Sequence, residues 1–237
     1  MSEVVALIPA RGGSKGLRNK NLKKLLAHSL VGWSIRFALK SNSFNRCIVT
    51  SDDQEIIKEA IKYGASAPFV RDPHLATDSA TSSDVVIDAI ERCKLKKDDI
   101  LILLEPTSPF RRFEHLNTIL DLIKSNDCNK VVSVYEAVST NYIFQYKRIT
   151  DSAACFLKPI STKLESFQSL RRQEITKSYF LDGTFYASKV KDFLDKPTFL
   201  SEGTGSVVTD LYSSFEIDSI DDFMLLESIF KNIGEPF

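Results

Sequence analysis

The sequence predicts one α/β domain with a doubly wound, mostly parallel sheet between two layers of helices, a three-layer α/β/α fold. Three observations predict this class. The chain has 237 residues, the size of one ordinary domain, and 43% of them are hydrophobic, which is enough for a sizeable core. Short, unbroken apolar runs alternate with segments of helical periodicity, as expected where helices cover both faces of a parallel sheet.

The first half of the chain supplies most of this pattern. Residues 4–8 form a continuous apolar run that ends at Pro9, which indicates a buried parallel strand. Helical stripes and further strands follow in alternation, and right-handed crossovers are expected to connect them. Strands are predicted at 47–50, 100–104 and 131–134, and helices at about 30–38, 56–61, 85–93 and 116–123.

The regular alternation stops between about residues 137 and 181, where polar, aromatic and basic residues mix without either period. A loop of that length is uncommon in a compact domain, so we predict an inserted subdomain, a lid or an oligomer contact there. Regularity returns with strands at 183–188 and 207–211 and a closing helix that carries Ile220, Phe223, Leu226 and Phe230.

Composition excludes several classes of protein. The chain balances 31 Lys and Arg against 31 Asp and Glu, whereas a general nucleic-acid or anionic-membrane binder needs a basic surface. The N-terminus has too few apolar residues for a signal sequence or a membrane span, so a cytoplasmic location is expected. The four cysteines form no CxxC pair, which predicts reduced thiols and no zinc site.

Charge is distributed unevenly along the chain. Between Val4 and Ser51 there are nine Lys and Arg and no acid, and between Asp210 and Phe230 there are six acids and no base. Such a chain can hold an anion near one end and a cation near the other. The alternative is that solvated helix faces sort this way by accident, and we favour it for Lys23, Lys24, Asp221 and Glu227.

A glycine-rich basic loop follows the first predicted strand, at the edge of the sheet where ligands of such folds bind. Glycines let backbone N–H groups approach oxygens, an arginine offers a planar fork and lysines offer point charges, the donors that a polyphosphate requires. The loop is neither a Walker A motif nor GxGxxG, and a plain surface turn is the alternative. The loop reads Pro9-Ala10-Arg11-Gly12-Gly13-Ser14-Lys15-Gly16-Leu17-Arg18-Asn19-Lys20-Asn21.

Six collinear blocks give the chain a specific resemblance. The first is IPARGGSKGLRNKN, and the others are Thr50-Ser51-Asp52, LATDSATSS at 75–83, LEPTSPFR at 104–111, Asp182-Gly183-Thr184-Phe185-Tyr186 and Glu216-Ile217-Asp218. Together they resemble the acylneuraminate cytidylyltransferases, which join CMP to nine-carbon keto sugar acids. The resemblance implies the nucleotidyltransferase version of the predicted fold in a single domain over 1–237, with a dimerisation segment inserted at about 139–180.

The resemblance also implies a nucleotide site. In that family the first loop cradles the triphosphate of CTP, Asn21 reaches the cytosine end, and Arg71 and the stretch from Ala80 to Ser82 enclose the base and ribose. Arg11 and Lys20 are then the residues expected to hold the departing pyrophosphate. The implied nucleotide-binding residues are Ala10, Arg11, Gly12, Gly13, Ser14, Lys15, Lys20, Asn21, Arg71, Ala80, Thr81 and Ser82.

A divalent ion, Mg²⁺ or Mn²⁺, is implied as the cofactor. Asp218 matches the family's metal-binding aspartate, and Glu216 stands where a second aspartate is usual. Alternate residues of an extended segment face the same side, so the two carboxylates can share an ion, although the longer arm leaves direct ligation by Glu216 open. For Asp218, a favourable charge at the start of the last helix is the alternative role.

The implied sugar-binding residues are Glu105, Arg172, Gln173 and Tyr186. Glu105 stands where sialate-activating members commonly have Gln, and Arg172, or its neighbour Arg171, matches the arginine that binds the keto acid's carboxylate. Phe180 and Leu181 replace more polar residues, which predicts an apolar recess and favours a legionaminate or pseudaminate relative over N-acetylneuraminate.

Three functions remain open at this point. The resemblance favours an enzyme that uses CTP and a nonulosonic acid as a homodimer, in which Arg172 serves either its own or the partner subunit's site. The alternatives are a metal-dependent glycosyltransferase that uses a finished nucleotide sugar, and a catalytically silent nucleotide-binding relative.

Overall fold

The computed structural model describes residues 2–14, 16–151, 154–160, 175–235 and 237, with the backbone alone at 148–151 and 154–157. The described strands, in chain order, are β1 (Val4–Pro9), β2 (Lys24–Leu25), β3 (His28–Ser29), β4 (Arg46–Thr50), β5 (Ile100–Leu103), β6 (Lys130–Glu136), β7 (Tyr146–Asp151), β8 (Ala154–Pro159), β9 (Tyr179–Lys189) and β10 (Gly205–Val208). The described α-helices are α1 (Leu30–Lys40), α2 (Gln54–Lys62), α3 (Ser82–Arg92), α4 (Phe113–Lys124), α5 (Val190–Asp195) and α6 (Ile220–Ile233).

The predicted fold class is confirmed. Six strands form the central sheet in the order β10-β6-β9-β5-β1-β4. β1 pairs in parallel with β4 and β5, and β6 pairs in parallel with β10. β9 lies antiparallel between β5 and β6, so the sheet is mostly parallel with one reversed strand.

Each face of the sheet carries its own buried layer, because side chains alternate along a strand. On β1, Ala6 and Ile8 join the layer that contains residues of α1, α2 and α4. Val5 and Leu7 point to the other face and join residues of α3 and α5. Helices therefore cover both faces of the sheet, and the edge at the ends of β1, β4 and β5 remains available for a ligand.

Side-chain caps fix where the helices begin. Asp53 accepts hydrogen bonds from the backbone N–H groups of Glu55 and Ile56 at the start of α2. Thr81 with Asp84 forms a capping box on α3, and Ser219 forms one on α6. Such caps satisfy N–H groups that have no partner within the helix, and they set the first turns of α3 and α6 at the edge of the sheet.

Two predicted strand boundaries are wrong. The strand expected at 183–188 belongs to the longer β9, which begins at Tyr179. The strand expected at 207–211 ends at Val208, because the Asp210 side chain accepts hydrogen bonds from the N–H groups of Tyr212 (2.9 Å) and Ser213 (3.1 Å) and turns the chain.

The segment predicted at about 139–180 leaves the sheet after Glu136 and rejoins it at Tyr179. Glu136 in β6 and Tyr179 in β9 are paired with each other. Its described part contains the antiparallel pair β7–β8, which forms a separate two-stranded sheet. Residues 161–174 lie outside the described residues, and the role of the segment in a dimer stays a prediction. No helix among the residues that the structure describes is long and apolar enough to cross a membrane.

Candidate active site

A cleft of about 540 Å³ opens at the edge of the sheet where β1 and β5 end. Loops after these strands, the start of α3 and the segment before α6 form its walls. Its lining residues are Pro9, Arg11, Ser14, Gly16, Lys20, Asn21, Arg71, Leu75, Thr77, Asp78, Ala80, Thr81, Ser82, Val85, Glu105, Pro106, Thr107, Glu216 and Asp218.

Most of the residues predicted to bind a nucleotide lie in this cleft. Those that line it are Arg11, Ser14, Lys20, Asn21, Arg71, Ala80, Thr81 and Ser82. Ala10 and Gly12 do not line it: the Ala10 N–H donates to the Thr50 carbonyl (3.0 Å), and the Gly12 N–H donates to Asp52 Oδ1 (3.0 Å). Gly13 lies in the same loop outside the lining, and Lys15 lies outside the described residues.

The basic loop is fixed from inside the protein. Asn21 is 6% exposed, and its Nδ2 donates to the Arg11 carbonyl at 2.9 Å. Asp52 Oδ1 accepts a hydrogen bond from the Gly12 N–H, a contact that its place in the Thr50-Ser51-Asp52 block does not predict. Only Asp53 caps α2. The loop is therefore held in place before any anion arrives.

Arg71 contributes a buried positive charge to the wall of the cleft. It is 3% exposed, and its Nε donates to Thr50 Oγ1 at 3.2 Å. Burial lowers the pKa of Arg71 to about 10, although Asp52 and Asp88 act in the opposite direction. The guanidinium stays protonated at neutral pH and is oriented by β4, as a fixed ligand for a base or ribose requires.

The basic loop and the acidic segment near residue 218 meet in the cleft. Lys20 Nζ lies 3.0 Å from Asp218 Oδ1, although 198 residues separate them in the chain. Gly16 packs so closely that a Cβ atom there would lie 2.4 Å from the Asp218 carbonyl oxygen, which excludes any larger residue without a backbone shift. Close approach of backbone to backbone is thus why glycine stands at this position.

Arg11 makes a second ion pair across the cleft. Its Nη1 lies 3.0 Å from Asp78 Oδ1, on the loop that leads to α3. Asp78 belongs to the 75–83 block, whose sequence did not indicate this ion pair. Both cations predicted to hold phosphate oxygens therefore face carboxylates on the opposite wall.

Three of the lining residues, Glu105, Glu216 and Asp218, carry carboxylates, and we call this part of the cleft the acidic end. Burial, together with Glu105, Asp218 and Asp182, raises the pKa of Glu216 to about 7. Burial also raises the pKa of Glu105, and Asp218 adds to this, while Arg111 and Lys20 lower it. A cation bound among these carboxylates would favour their ionised forms, so Glu105, Glu216 and Asp218 are the residues of the cleft that could hold one.

The comparisons with known proteins agree with this geometry. The model of the cytidylyltransferase family matches residues 5–175. The chain belongs to this family. It is 30% identical to pseudaminic acid cytidylyltransferase of Campylobacter jejuni, over 96% of this chain and 96% of the relative. It is 32% identical to CMP-N,N'-diacetyllegionaminic acid synthase of Legionella pneumophila, again over 96% of each chain.

Solved cytidylyltransferases share the fold. A CMP:2-keto-3-deoxy-manno-octonic acid synthetase complexed with CTP superposes with a TM-score of 0.70 at 16% identity, covering 98% of this chain and 99% of that one. A 4-diphosphocytidyl-2C-methyl-D-erythritol synthase superposes with a TM-score of 0.65 at 10% identity, over 97% and 99% of the two chains. The predicted family and the nucleotidyltransferase fold are confirmed.

The residues predicted to bind a sugar are only partly placed in the cytidylyltransferase cleft. Glu105 lines the cleft, whereas Arg172 and Gln173 lie outside the described residues. Tyr186 does not line it: this residue sits in β9 between Leu103 and Val132, and its ring packs on Phe199. Burial raises the pKa of Tyr186, and the charges of Glu105 and Glu216 add to this effect.

The predicted apolar recess of Phe180 and Leu181 is absent from the lining of the cleft. Each of these side chains is 40% exposed, and the Phe180 ring packs on Tyr135 at the end of β6. They lie where the inserted segment rejoins the sheet.

The raised pKa of Glu216 predicts a pH-dependent stability. Because its folded-state pKa of about 7 exceeds the ordinary value of 4.5, the folded state holds a proton that the unfolded chain releases. In metal-free buffer we expect the unfolding free energy to fall as pH rises from 4.5 to 7, and Glu216→Gln to flatten this slope. Urea titrations across this range measure it, and identical slopes in the two proteins would contradict the assignment.

Proposed function

We propose that this cytidylyltransferase transfers CMP from CTP to the anomeric hydroxyl of a nonulosonic acid and releases pyrophosphate. The observation that carries the proposal is the meeting of Lys20 with Asp218 at 3.0 Å in one cleft, cations on one side and carboxylates on the other. The full-length similarity to pseudaminic and legionaminic acid enzymes supports the class of acceptor.

The arrangement suits an in-line displacement at phosphorus. The bond between the anomeric oxygen and the α-phosphorus forms as the bond to the pyrophosphate oxygen breaks, and the hydroxyl loses its proton. Such reactions require alignment and neutralisation of charge more than covalent help from the protein. Arg11 and Lys20 are proposed to neutralise the leaving pyrophosphate, whose charge grows in the transition state.

The nucleoside end is proposed to lie between Arg71 and the start of α3. Ser82 is the first residue of α3, where helix N–H groups have no partner within the helix. Main-chain groups of this kind are fixed donors and acceptors for the edge of cytosine, and a base that lacks the matching groups leaves them unpaired. Asn21 and Ala80 also line the cleft.

A divalent cation, Mg²⁺ or Mn²⁺, is proposed as the cofactor, with Asp218 and then Glu216 as its protein ligands. The carboxylates fit such an ion: burial first, and then the negative charges of Glu105, Asp218 and Asp182, raise the pKa of Glu216 to about 7, and a bound cation offsets these charges. Among the described residues, no group of three or more His, Cys, Asp or Glu could hold a metal ion by protein ligands alone, so phosphate oxygens of the substrate are needed to complete its coordination. Mg²⁺ in phosphoryl-transfer sites is usually held by one or two carboxylates and by substrate phosphates. When bound, the ion neutralises phosphate charge and favours ionisation of the attacking hydroxyl.

The acceptor is proposed to be a nine-carbon keto acid of the legionaminate or pseudaminate type, bound at the acidic end near Glu105. Arg172, Gln173 and Tyr186 stay predicted contacts of this acid. A homodimer through residues 139–180 is also proposed, since Tyr142, Ile160 and Tyr179 are 45%, 59% and 46% exposed on this segment. We propose a cytoplasmic location, where CTP is available.

A screen for pyrophosphate release tests the activity. The protein is incubated with CTP, Mg²⁺ and one of four acids: N-acetylneuraminate, di-N-acetyllegionaminate, di-N-acetylpseudaminate or the eight-carbon acid KDO. Release that requires CTP and one of the nine-carbon acids is expected. A glycosyltransferase or a silent relative releases none, and a preference for KDO would overturn the class of acceptor.

Replacing Glu105 by glutamine is expected to change the ranking of the acids by about tenfold or more, because it removes a buried charge from the acceptor end. The KM for CTP is expected to stay within about threefold, since Glu105 is not among the residues proposed to bind the nucleotide. Competition between pairs of acids measures the ranking. An unchanged ranking would remove Glu105 from the acceptor site.

Gly183→Ala is expected to impair catalysis more than folding. Gly183 has φ +69°, and a Cβ atom there would lie 1.7 Å from Glu216 Oε1, so the carboxylate must move. The expected loss is about tenfold or more in turnover. Gly203→Ala is the matched control, since Gly203 has φ +81° with open space around it. Both changes are expected to lower the unfolding free energy by about 1–2 kcal/mol. Equal turnover in the Gly183→Ala and Gly203→Ala proteins would contradict the placement of Glu216.

A further inference from the structure

Arg111 is a fully buried arginine behind the acidic end of the cleft. Its three nitrogens donate to the Glu105 carbonyl (Nη2, 2.6 Å), the Thr184 carbonyl (Nε, 3.1 Å) and Ser34 Oγ (Nη1, 3.0 Å). The guanidinium also lies over the rings of Phe37 and Phe185, at 6.0 and 5.8 Å. A charge so deeply buried is costly unless every donor is used, which ties its position closely to its acceptors.

Two of these acceptors belong to segments that build the acidic end. Glu105 follows β5 and lines the cleft, and Thr184 follows Gly183, which contacts the Glu216 carboxylate. The Thr184 hydroxyl in turn donates to the Ser213 carbonyl at 2.7 Å, just before Glu216. One side chain therefore fixes the spacing between the segment that carries Glu105 and the segment that faces Glu216.

The charge of Arg111 acts on the same place. Glu105 and Asp182 are the carboxylates whose charges act on the Arg111 guanidinium. Of the cations that lower the pKa of Glu105, Arg111 has the largest effect. Asp182 is itself held by the N–H of Thr184 (3.0 Å) and by the hydroxyls of Ser133 and Thr209. Glu105 lines the open cleft, so it is the acid through which Arg111 can influence a substrate.

We propose that Arg111 is a positioning residue for the acceptor end of the cleft: it sets the place of Glu105 and thereby acts on the keto acid and not on CTP. This inference rests on the proposed function. None of the three groups that accept a hydrogen bond from Arg111 belongs to a residue proposed to bind the nucleotide. Replacing Arg111 is therefore expected to lower kcat/KM for the keto acid and to leave the KM for CTP nearly unchanged.

The test compares Arg111→Met, which keeps an unbranched apolar stem and removes the charge and the fork, with Arg111→Lys, which keeps the charge and loses the fork. Arg112→Met is the matched control, because Arg112 is the next residue and pairs with Asp210 at 2.5 Å. Pyrophosphate release is measured with the keto acid varied at saturating CTP and with CTP varied at saturating acid. Each change is also made in a Glu105→Gln background.

Arg111→Met is expected to lower kcat/KM for the acid by about tenfold to 100-fold, since small displacements of a site residue have effects of that size. The KM for CTP should change by less than about threefold in Arg111→Met. Arg111→Lys should lower kcat/KM for the acid by a smaller factor, and Arg112→Met should keep a kcat/KM near that of the wild type. In the Glu105→Gln background the loss should shrink at least about threefold, because Arg111 then has no charged partner in the cleft.

Equal losses for the two substrates, or losses that multiply fully with Glu105→Gln, would reduce Arg111 to a structural residue and overturn the proposal. If circular dichroism shows that Arg111→Met does not fold, Arg111→Lys carries the test, and an equal loss for acid and CTP overturns it. A wild-type protein that releases no pyrophosphate with any acid overturns the proposed function itself, so the two failures are distinct.

Discussion

Replacing Lys20 by alanine is expected to lower the rate of pyrophosphate release by at least about two orders of magnitude. Lys20 is the cation of the basic loop that lies 3.0 Å from Asp218, and its side chain is 16% exposed. Loss of one fixed group that stabilises transition-state charge typically lowers kcat by about 10²-fold to 10³-fold. Steady-state kinetics at saturating CTP and acid measure the effect.

Lys24→Ala is the control for this change. Lys24 is exposed on β2, outside the cleft, and is expected to retain wild-type turnover. A Lys20→Ala protein with wild-type turnover would refute the assignment of the basic loop to the leaving group. A loss confined to the KM for CTP would instead show that Lys20 binds ground and transition states equally.

Asp218→Ala is expected to have an effect of similar size, at least about 100-fold on turnover, for a different reason. Asp218 is the more exposed of the two proposed metal ligands, with a side-chain exposure of 72% in its pair with Lys20. Without it, Mg²⁺ should also be needed at higher concentration, because one of few protein ligands is lost. Turnover measured against Mg²⁺ concentration separates the two effects.

Asp221→Ala controls for charge in the first turn of α6, because Asp221 is exposed and does not line the cleft. Unchanged turnover in Asp218→Ala would refute the metal assignment. Loss of stability is not expected to confuse the result, since exposed ion pairs such as Lys20–Asp218 contribute about 0–1 kcal/mol to folding. Thermal unfolding of both variants checks this point.

Much of the fold could be predicted because burial leaves a direct trace in the sequence. The unbroken apolar runs of β1 and β5 and the helical stripes of α1 and α4 all lie close to their predicted positions. The direction of β9 could not be predicted, because periodicity does not tell a parallel strand from an antiparallel one. β10 ends early because a single side chain, Asp210, turns the chain.

The residues of the cleft also divide into those that could be predicted from the sequence and those that could not. Residues next to strand ends or in recognisable blocks, such as Arg11, Lys20 and Glu105, could be named from the sequence. Asp52 and Arg111 could not be assigned their contacts, because each acts through hydrogen bonds to distant backbone, the Gly12 amide and the Thr184 carbonyl. Those contacts depend on distances in three dimensions that no spacing along the chain reveals.

The contact between Gly16 and the Asp218 carbonyl bears on how the enzyme is made in the cell. A ribosome synthesises the basic loop among the first residues and Asp218 among the last, and Ile217 must also bond to Thr107 before the acidic wall is in place. A nascent chain that stops short of residue 218 has most strands of the sheet but no finished centre. Premature termination late in translation is thus expected to yield protein that folds in part and turns over no substrate.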